Sequence, residues 1–573
     1  MSTPNAEAES LLSIEIGTIH TRALLFDLVD GQYRFLGASR VPSTFGAPYY
    51  DISEGIYQAL KQLQDGTARV FLEDSRLVIP GRADGAGIDS LVLIYTAGPG
   101  LRIAVLGLLE DVSLESASRL AASTQSVLVE AIGLNDHRKH EEQIDALLKA
   151  KPDLILIAGG TEKGSTRSVG KIVDLVSMVL QLTPEDRLPE IMYAGNQAMQ
   201  NHVTEALSRF GAVQVVPNVR PTIENEVLAP AQEMLARTVT RIRNQHLGGL
   251  QAYASITSAA PAPSSHTFGR MIRYFSQINN SQKSVLGVDL GASYTTLATA
   301  QQGKLELSVY NLGMGAGLQP ALEKSELAEI TRWLPMQIPD DEVRDYLWQK
   351  TLFPASIPAT VETLAIEQAA ARQILALALR THRKRYKNPL QSFEPVLVSG
   401  ATLAHTSPAQ TLLMLLDGLQ PVGTTTFVLD PYGLMPALGA AAEVNAMLPV
   451  QVVESNAFVN LGTVLSPLSN DRYGTSIMNA RIEYESGEES RHEIRQGNLY
   501  QLPIQPGQTA RIHLEPLRPV EIDPMHNSDT RSFKVIGGIC GTVIDARGRS
   551  ITLPADDSRR RDMLKKWAMA LGS

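Results

Sequence analysis

The chain has 573 residues, of which 44% are hydrophobic and 19% charged, and its net charge at neutral pH is −9. This length accommodates several domains, and the negative charge argues against general nucleic-acid binding because phosphate contacts need a basic surface. Cys540 is the only cysteine, which excludes an intrachain disulfide and a cysteine-based zinc site and is typical of the reducing cytoplasm. Residues 1–10 are polar and acidic and predict a disordered tail.

The stretch Leu11 to Phe35 predicts a phosphate-binding hairpin. An apolar strand ends at Glu15, and Gly17 opens a polar bend. Thr18 lies in this bend, and Arg22 begins a second strand. A carboxylate beside a glycine bend brings backbone N–H groups and an acceptor for metal-bound water to one point. A phosphate bound with Mg²⁺ needs this arrangement.

Residues 88–216 alternate apolar runs with helical patterns, beginning with the run Ser90 to Tyr95. This alternation predicts a parallel sheet covered on both faces by helices. We therefore interpret the segment as a doubly wound α/β domain inserted into a first lobe, which comprises residues 11–87 and 217–283. Within the returning segment, the small-residue stretch 254–265 predicts a linker or an exposed loop.

Residues 284–448 repeat the plan of the first lobe and predict a second lobe. A strand ends in Asp289, Gly291 opens a bend that contains Ser293, and Gly313 follows the third strand. Two such hairpins, far apart in sequence, predict two lobes that face each other across one nucleotide.

Two further elements complete the pattern. Pro395 to His405 predicts a strand, a small-residue loop and a helix, in which Gly400 and Thr402 would border the adenine. Leu429 to Ala442 places Asp-Pro before a small-residue helix. In this order the elements resemble the actin, sugar-kinase and heat-shock-chaperone ATPase superfamily. The predicted fold class is α/β: a two-lobed actin-like, ribonuclease-H-like fold with an inserted doubly wound domain.

Residues 449–573 contain short apolar runs separated by Gly and Pro turns, which predict a β-rich C-terminal domain. A basic amphipathic helix is predicted over Ser558 to Leu571, with Met563, Leu564 and Trp567 on one face. Such a helix can dock on its own domain, grip a partner or lie on an anionic membrane. Docking is the favoured interpretation.

Taken together, the motifs resemble the accessory L subunit of glutamate mutase, often called MutL. The resemblance covers residues 11–448 and implies an ATP- and Mg²⁺-binding chaperone or reactivator for an adenosylcobalamin-dependent mutase. The motifs that carry it are AGPGLRIAVLGL, DLILIAGGTEKG, YAGN, PNVRP, VDLGASYTT and LDPYGLMPALGA.

The chain departs from the family pattern where chemistry would occur. Glu15 stands where the family has Asp, Ala292 replaces a glycine, and Thr296 and Asn311 replace carboxylates. Fewer carboxylates weaken the hold on Mg²⁺ and on an attacking water, because phosphoryl transfer depends on positioning and charge neutralisation. We expect nucleotide binding more than brisk hydrolysis, and both slow turnover and no turnover remain open.

The function predicted is that of an ATP/ADP-binding accessory protein whose lobes close on the nucleotide and change their presentation to a protein partner. Glu15 and Asp289 are the predicted metal-holding and catalytic carboxylates. The predicted nucleotide contacts are Gly17, Thr18, Arg22, Gly291, Ser293, Gly313, Gly400 and Thr402. The alternative is an actin-like scaffold that self-associates into filaments or lies on a membrane under nucleotide control. A sugar or acid kinase is a third alternative, for which no carboxylate base can be named.

Overall fold

A computed structural model describes residues 9–162, 164–279, 282–387, 392–523 and 531–572. The predicted tail lies outside these ranges except for Glu9 and Ser10. Ser10 is buried, and its hydroxyl donates a hydrogen bond to the Asp89 carboxylate at 2.7 Å. Ser10 is therefore part of the packed first lobe and not of a disordered tail.

The first lobe is built on a five-stranded sheet around the first predicted hairpin. Leu11–Ile16 pairs antiparallel with His20–Val29 and parallel with Ser90–Tyr95. Leu11–Ile16 and Ser90–Tyr95 are buried throughout, as expected for central strands covered on both faces. In spatial order the strands are Ala262–Pro263, Ser90–Tyr95, Leu11–Ile16, His20–Val29 and Gln32–Pro42.

This pairing corrects one predicted boundary. Ser90–Tyr95 belongs to the first lobe, whereas the sequence pattern assigned it to the inserted domain that was predicted to begin at residue 88. A fully buried apolar run has the same pattern in either parallel sheet, so periodicity alone could not assign it.

The second lobe repeats the strand order of the first. Ser284–Leu290 pairs antiparallel with Thr295–Gln301 and parallel with Phe393–Ser399. Counted in chain order, the strands of each lobe lie as third, second, first, fourth and fifth. This duplication confirms the predicted two-lobed, actin-like α/β fold.

The C-terminal region is β-rich, as predicted, and some of its strands continue the sheet of the second lobe. Val459–Ser466 pairs antiparallel with Gly423–Leu429, so backbone hydrogen bonds join the two regions. The eight strands in spatial order are Lys304–Tyr310, Thr295–Gln301, Ser284–Leu290, Phe393–Ser399, Gly423–Leu429, Val459–Ser466, Thr542–Asp545 and Leu499–Leu502. A second, antiparallel sheet contains Glu489–Arg495, Ser476–Tyr484, Thr509–Pro516 and Ser532–Ile536.

The terminal helix Asp557–Ala570 docks on its own domain. Leu564 and Trp567 are buried in the largest hydrophobic core. The indole N–H of Trp567 donates a hydrogen bond to the Gly497 carbonyl at 2.9 Å. The apolar face of the helix is thus covered by the protein itself, as the favoured interpretation of the sequence expects.

The inserted domain is a parallel α/β sandwich. Its helices are Glu115–Ala122, His140–Ala150, Thr166–Leu182 and Gln200–Leu207. Its strands lie in the order Val213–Val215, Glu190–Tyr193, Leu154–Ile157, Leu101–Leu106 and Ser126–Ile132. Read from Ser126–Ile132, the strands lie in the order 2-1-3-4-5 when numbered along the chain. This is a common doubly wound arrangement.

Two helices cross between the lobes. Ser264–Ile278 packs on the sheet of the second lobe, and Leu434–Ala441 packs on the sheet of the first. At the crossing, a Cβ on Gly439 would collide with the Thr267 carbonyl, so only glycine permits this approach. Each helix covers the lobe opposite to the one that its position in the sequence predicted, because chain order does not reveal which sheet a connecting helix covers.

The remaining helices surround these sheets. They are Ser53–Thr67, Ala229–His246, Leu250–Ala254, Leu318–Lys324, Leu327–Thr331, Asp340–Leu352, Val361–Tyr386, Ala401–Ala404, Pro408–Leu419 and Met447–Val453. A short hairpin joins Leu72–Glu73 and Arg76–Leu77. Within the described ranges, none of the helices combines the length and apolar character needed to cross a bilayer.

A buried histidine ties helix Val361–Tyr386 to the second-lobe sheet. His382 Nε2 lies 3.2 Å from the Thr299 hydroxyl, and its Nδ1 lies 3.2 Å from the Tyr310 hydroxyl. Burial lowers the pKa of His382 from 6.5 to about 3, and the nearby arginine charges add to this effect. The unfolded chain therefore binds a proton that the folded chain rejects between these pH values, and folding loses stability as pH falls below 6.5.

We expect His382→Gln to flatten the pH dependence of the free energy of unfolding. Wild type should lose about 1.4 kcal/mol per pH unit from this group, or about 2 kcal/mol between pH 6.5 and pH 5. Urea unfolding at the two pH values measures the difference, with the exposed His202→Gln as control. An equal loss in wild type and in His382→Gln would contradict the assignment.

Candidate functional site

The two hairpins bring their strand-end carboxylates to one guanidinium. Glu15 is the penultimate residue of the first strand of the first lobe, and Asp289 is the penultimate residue of the matching strand of the second lobe. Arg22 pairs with Glu15. Although burial alone would lower the pKa of Arg22, the charges of Glu15 and Asp289 raise it. The hairpins therefore face each other, and Arg22 lies within electrostatic reach of both carboxylates.

Asp289 is half-buried in a polar environment. The Ser399 hydroxyl donates a hydrogen bond to Asp289 Oδ1 at 2.8 Å. Burial, together with the charge of Glu15, raises the pKa of Asp289 to about 6 against the opposing effects of the Ser399 hydrogen bond and of Arg22. The carboxyl therefore titrates close to neutral pH, which suits a group that holds a cation or exchanges a proton.

A third carboxylate, Asp430, adds to the negative charge. Burial raises its pKa, while the N–H of Met435 donates a hydrogen bond to it at 2.8 Å. Arg22 also acts on Asp430 electrostatically. Three carboxylates thus surround one guanidinium, and this excess of negative charge favours an added cation.

Mg²⁺ fits this cluster as a hydrated ion. Among the described residues, no group of three or more His, Cys, Asp or Glu side chains is placed to hold a metal directly. Mg²⁺ typically keeps several waters and binds through one or two carboxylates together with phosphate oxygens. Glu15 and Asp289 would hold the ion and its waters, and the nucleotide would complete its coordination.

The bends of the two hairpins have the same geometry. The N–H of Gly17 donates to the His20 carbonyl at 2.9 Å, and the N–H of Gly291 donates to the Tyr294 carbonyl at 3.0 Å. A Cβ on Gly17 or Gly291 would lie 2.6 or 2.7 Å from the same oxygens, closer than side chains approach. Both glycines are therefore required for the bend, and their amides are used within it.

The amides free to meet a ligand lie one or two residues further on. In the part of the chain that the structure describes, the N–H groups of Thr18 and Ser293 donate to no protein acceptor. Both residues lie in the bends, where successive N–H groups can form an anion-binding concavity. The amides of Gly17 and Gly291, which were predicted to contact phosphate, thus hold the bends together. The amides of Thr18 and Ser293 are available to donate to a phosphate.

Gly313 belongs to a loop that contacts the second bend. The N–H of Met314 donates to the Gly291 carbonyl at 2.9 Å, and that of Gly315 to the Ala292 carbonyl at 2.8 Å. A Cβ on Gly313 would lie 2.5 Å from the Ala292 oxygen. Gly313 therefore lets the loop pack on the backbone of the bend.

The predicted adenosine loop lies beside the second hairpin. Gly400 follows strand Phe393–Ser399 with φ +119°, and a Cβ there would collide with the Leu290 carbonyl. Thr402 lies half-buried in the short helix Ala401–Ala404, where its carbonyl accepts the Thr406 hydroxyl at 2.6 Å. Glycine at position 400 is what allows this loop to reach the strand that carries Asp289.

Polar side chains also join the two lobes. Arg22 Nη1 donates to the Tyr432 carbonyl at 3.2 Å, and Arg40 Nη1 lies 2.7 Å from His405 Nε2. Burial lowers the pKa of His20 to about 4, and the charges of Arg40 and Arg22 contribute. His20, the first residue of strand His20–Val29, thus lies beside the cationic side chains of Arg22 and Arg40, which suit a polyphosphate.

A model of the MutL protein family matches residues 11–457, which include both hairpins, the inserted domain and the adenosine loop. The chain belongs to this family. The resemblance inferred from the motifs is confirmed. No curated protein sequence matches the chain significantly.

Solved structures with detectable similarity have low identity to this MutL family member. A nucleotide-free acetone carboxylase shares 12% identity over 85% of this chain and 81% of that chain, with a TM-score of 0.32. A nucleotide-free diol dehydratase-reactivating factor shares 9% identity over 78% and 99%, with a TM-score of 0.29. The activator of 2-hydroxyisocaproyl-CoA dehydratase from Clostridium difficile, with bound ADPNP, shares 10% identity over 78% and 98%, with a TM-score of 0.28.

Sequence reasoning missed several polar residues at the site of this MutL family member. Ser264 Oγ donates to Glu15 Oε1 at 3.3 Å, although residues 254–265 were interpreted as a linker or exposed loop. Single serines carry no pattern that distinguishes a buried hydrogen-bond donor from a loop residue. Asp430, in contrast, stands in the Asp-Pro motif of the sequence and could have been predicted. The missed residues are Arg40, Ser264, Ser399, His405, Asp430 and Tyr432.

Gly400→Ala is expected to lower the free energy of unfolding by about 2–4 kcal/mol and to weaken ATP binding. The reason is that the new Cβ meets the Leu290 carbonyl in a backbone conformation that disfavours side chains. Urea unfolding and calorimetry with ATP measure the two effects. Gly170→Ala is the matched control, since nothing lies within 4 Å of its Cβ. A Gly400→Ala protein as stable as the control variant would contradict this account of the loop.

Proposed function

We propose that this protein binds ATP with Mg²⁺ between its lobes and acts as an accessory factor that reactivates or assembles an adenosylcobalamin-dependent mutase. The observation that carries the proposal is the convergence of Glu15, Asp289 and Asp430 around Arg22 where the two hairpins face each other. Membership of the MutL family, which the motifs relate to the glutamate mutase accessory subunit, supports the mutase as partner.

The residues of the cleft have distinct tasks in this proposal. The free amides of Thr18 and Ser293 would receive phosphate oxygens from opposite lobes. Arg22 would neutralise phosphate charge while keeping Glu15 oriented. When bound, Mg²⁺ neutralises part of the phosphate charge. Donors on both lobes would bind a single ligand, and binding would therefore draw the lobes together.

Hydrolysis, where it occurs, would be slow. Asp289 has a pKa of about 6 and can accept a proton from water near neutral pH. The residue opposite it in the antiparallel pair is Thr296, where the family has a second carboxylate. With one carboxylate fewer to orient water, positioning of the attacking group is weaker. Binding and lobe closure, more than turnover, would be the working events.

Lobe movement would reach the inserted domain through direct contacts. Arg119 Nε, on helix Glu115–Ala122, donates to the Arg385 carbonyl of the second lobe at 2.9 Å. Lys387 Nζ lies 3.0 Å from Glu115 in the same region. The inserted domain therefore contacts the second lobe as well as the first lobe from which it emerges. A change in the angle between the lobes would shift this domain and alter what it presents to a partner.

The experiment is a reactivation assay with a purified adenosylcobalamin-dependent glutamate mutase inactivated by turnover. Wild type with ATP and Mg²⁺ should restore mutase activity, and Asp289→Asn should not. The exposed pair of Arg495 and Glu493 provides a control, since Arg495→Ala should act like wild type. If wild type binds ATP yet restores no activity, the accessory role fails and the nucleotide site stands.

The scaffold alternative gains no support from the terminal helix. Leu564 and Trp567, the side chains that would enter a membrane, are buried in the protein's own core. Filaments would still be recognised by sedimentation with ATP, which makes that alternative directly testable.

A further inference from the structure

We propose that an apolar patch on the second lobe docks a protein partner that presents an apolar helix face flanked by basic side chains. The patch lies where helix Asp340–Leu352 ends and helix Val361–Tyr386 begins. Four of its five side chains are at least 67% exposed, Ile357 reaching 85%. Single exposed apolar side chains are ordinary, but a group of them at the junction of two helices, all within residues 348–361, is typical of an interaction surface. The second-lobe patch consists of Trp348, Leu352, Phe353, Ile357 and Val361.

The loop that carries the patch is held rigidly. Lys350 is buried, lies 2.7 Å from the Glu367 carboxylate and also donates to the Ser356 carbonyl. The N–H of Ser356 donates to the Phe353 carbonyl at 3.0 Å. Because leaving either buried charge without its partner would be costly, this pair ties the loop to helix Val361–Tyr386. The apolar side chains are thus presented to solvent by an ordered support and do not result from a loose loop.

Charge around the patch defines the chemistry of the partner. Asp341, Asp345, Trp348 and Leu352 follow each other at intervals of four, three and four residues, which places them on one face of the helix. Glu362 is exposed next to the patch residue Val361. Arg344, one turn before Trp348, pairs with Asp341 at 2.8 Å, so the negative charge of the rim comes from Asp345 and Glu362. An acidic rim beside an apolar centre selects a partner with basic residues around an apolar surface. The same rim repels an anionic membrane.

The patch is connected to the second phosphate bend through direct contacts. A Cβ on Gly315 would lie 2.7 Å from the Pro354 ring, so the patch loop packs directly on the glycine loop. The N–H of Gly315 donates to the Ala292 carbonyl in the bend at 2.8 Å. Displacement of the bend by nucleotide would therefore move the patch loop. This link rests on the proposed nucleotide site, whereas docking itself does not.

The test uses Trp348 as a reporter, because Trp333 and Trp567 are buried. The probe is a synthetic helical peptide with leucines on one face and lysines beside them, and its matched control has glutamates in place of the lysines. In the absence of nucleotide, the lysine peptide should shift the emission of Trp348 to the blue with saturation. The glutamate peptide should need at least about 10-fold higher concentration.

The double variant Phe353→Ser, Ile357→Ser should weaken binding of the lysine peptide about 10-fold or more, since it removes two exposed apolar anchors. Leu182→Ser, at an exposed apolar position of the inserted domain, should bind like wild type. Equal affinity for the two peptides, or full affinity in the double variant, would overturn the proposal. Binding of anionic lipid vesicles at the patch would also overturn it.

The nucleotide link has its own readout. Addition of ATP and Mg²⁺ should change the affinity of wild type for the lysine peptide at least about 3-fold and leave that of Asp289→Asn unchanged. If wild type binds ATP but its affinity for the peptide stays constant, the link between bend and patch is overturned. Because the first titration contains no nucleotide, its outcome is independent of whether the ATP site exists.

Discussion

Asp289→Asn is expected to weaken the binding of ATP with Mg²⁺ by about 100-fold while leaving the fold intact. Asparagine keeps the size of the side chain and can still accept the hydrogen bond from Ser399, but it carries no charge to hold a hydrated cation. Calorimetry of wild type and variant measures the change. Asp65→Asn, at an exposed position of helix Ser53–Thr67, is the control.

The same carboxyl sets a pH dependence for wild type. Because burial raises the pKa of Asp289 to about 6, the ionised form is lost as pH falls through this value. Affinity for ATP with Mg²⁺ should therefore decline between pH 7 and pH 5 in wild type, and this decline should be smaller in Asp289→Asn. An Asp289→Asn protein with wild-type affinity at pH 7 would remove Asp289 from the site.

Arg547→Ala is expected to lower the free energy of unfolding by about 3–5 kcal/mol. Arg547 is fully buried, and its guanidinium lies 2.6 Å from Asp417 and 2.9 Å from Asp545. Although burial opposes it, the charges of Arg547 and Arg549 hold the pKa of Asp545 well below its usual range. Truncation would remove one of the two guanidinium partners of each buried carboxylate, since Asp417 also pairs with Arg372 and Asp545 also pairs with Arg549. It would also remove the contact of Arg547 with the Trp567 ring.

Urea unfolding at neutral pH measures this effect. The control is Arg495→Ala, which breaks an exposed pair and should change stability by less than about 1 kcal/mol. Asp417 belongs to the second lobe and Asp545 to the C-terminal region, so the variant removes a buried link between these two regions. A loss similar to that of the control would mean that the buried network contributes little.

The hairpins could be predicted because their signals are local. Apolar alternation, a strand-end carboxylate and a glycine that closes the bend all fall within a few residues of Gly17 and of Gly291. The structure then shows the same hydrogen bond in both bends. That the hairpins face each other was predicted from the repetition of one hairpin plan far apart in the sequence, and the layout of the superfamily that the chain resembles agrees with it.

The parts that sequence could not give depend on tertiary packing. Ser90–Tyr95 has the pattern of any buried parallel strand, so only its pairing with Leu11–Ile16 assigns it to the first lobe. The crossing of helices Ser264–Ile278 and Leu434–Ala441 likewise depends on which sheet each one covers. The continuation of the second-lobe sheet by Val459–Ser466 depends on an edge that no short-range signal describes.

The site residues also divide into those with a local sequence signal and those that only the tertiary fold reveals. Glu15, Arg22 and Asp289 stood out because charge at the end or start of an apolar strand is unusual, and the structure brings these three together. Ser264 and Ser399 have no such signature, since serine is common in loops and at strand ends. Only the fold places their hydroxyls against the two carboxylates.

The most direct test of the account is hydrogen exchange of the two bends, residues 17–20 and 291–294, with and without ATP and Mg²⁺. We expect exchange of the amides in both bends to slow together, at the same nucleotide concentration, and both effects to disappear in Asp289→Asn. Slowing in one bend alone, or in neither, would contradict the claim that the two lobes bind a single triphosphate between them.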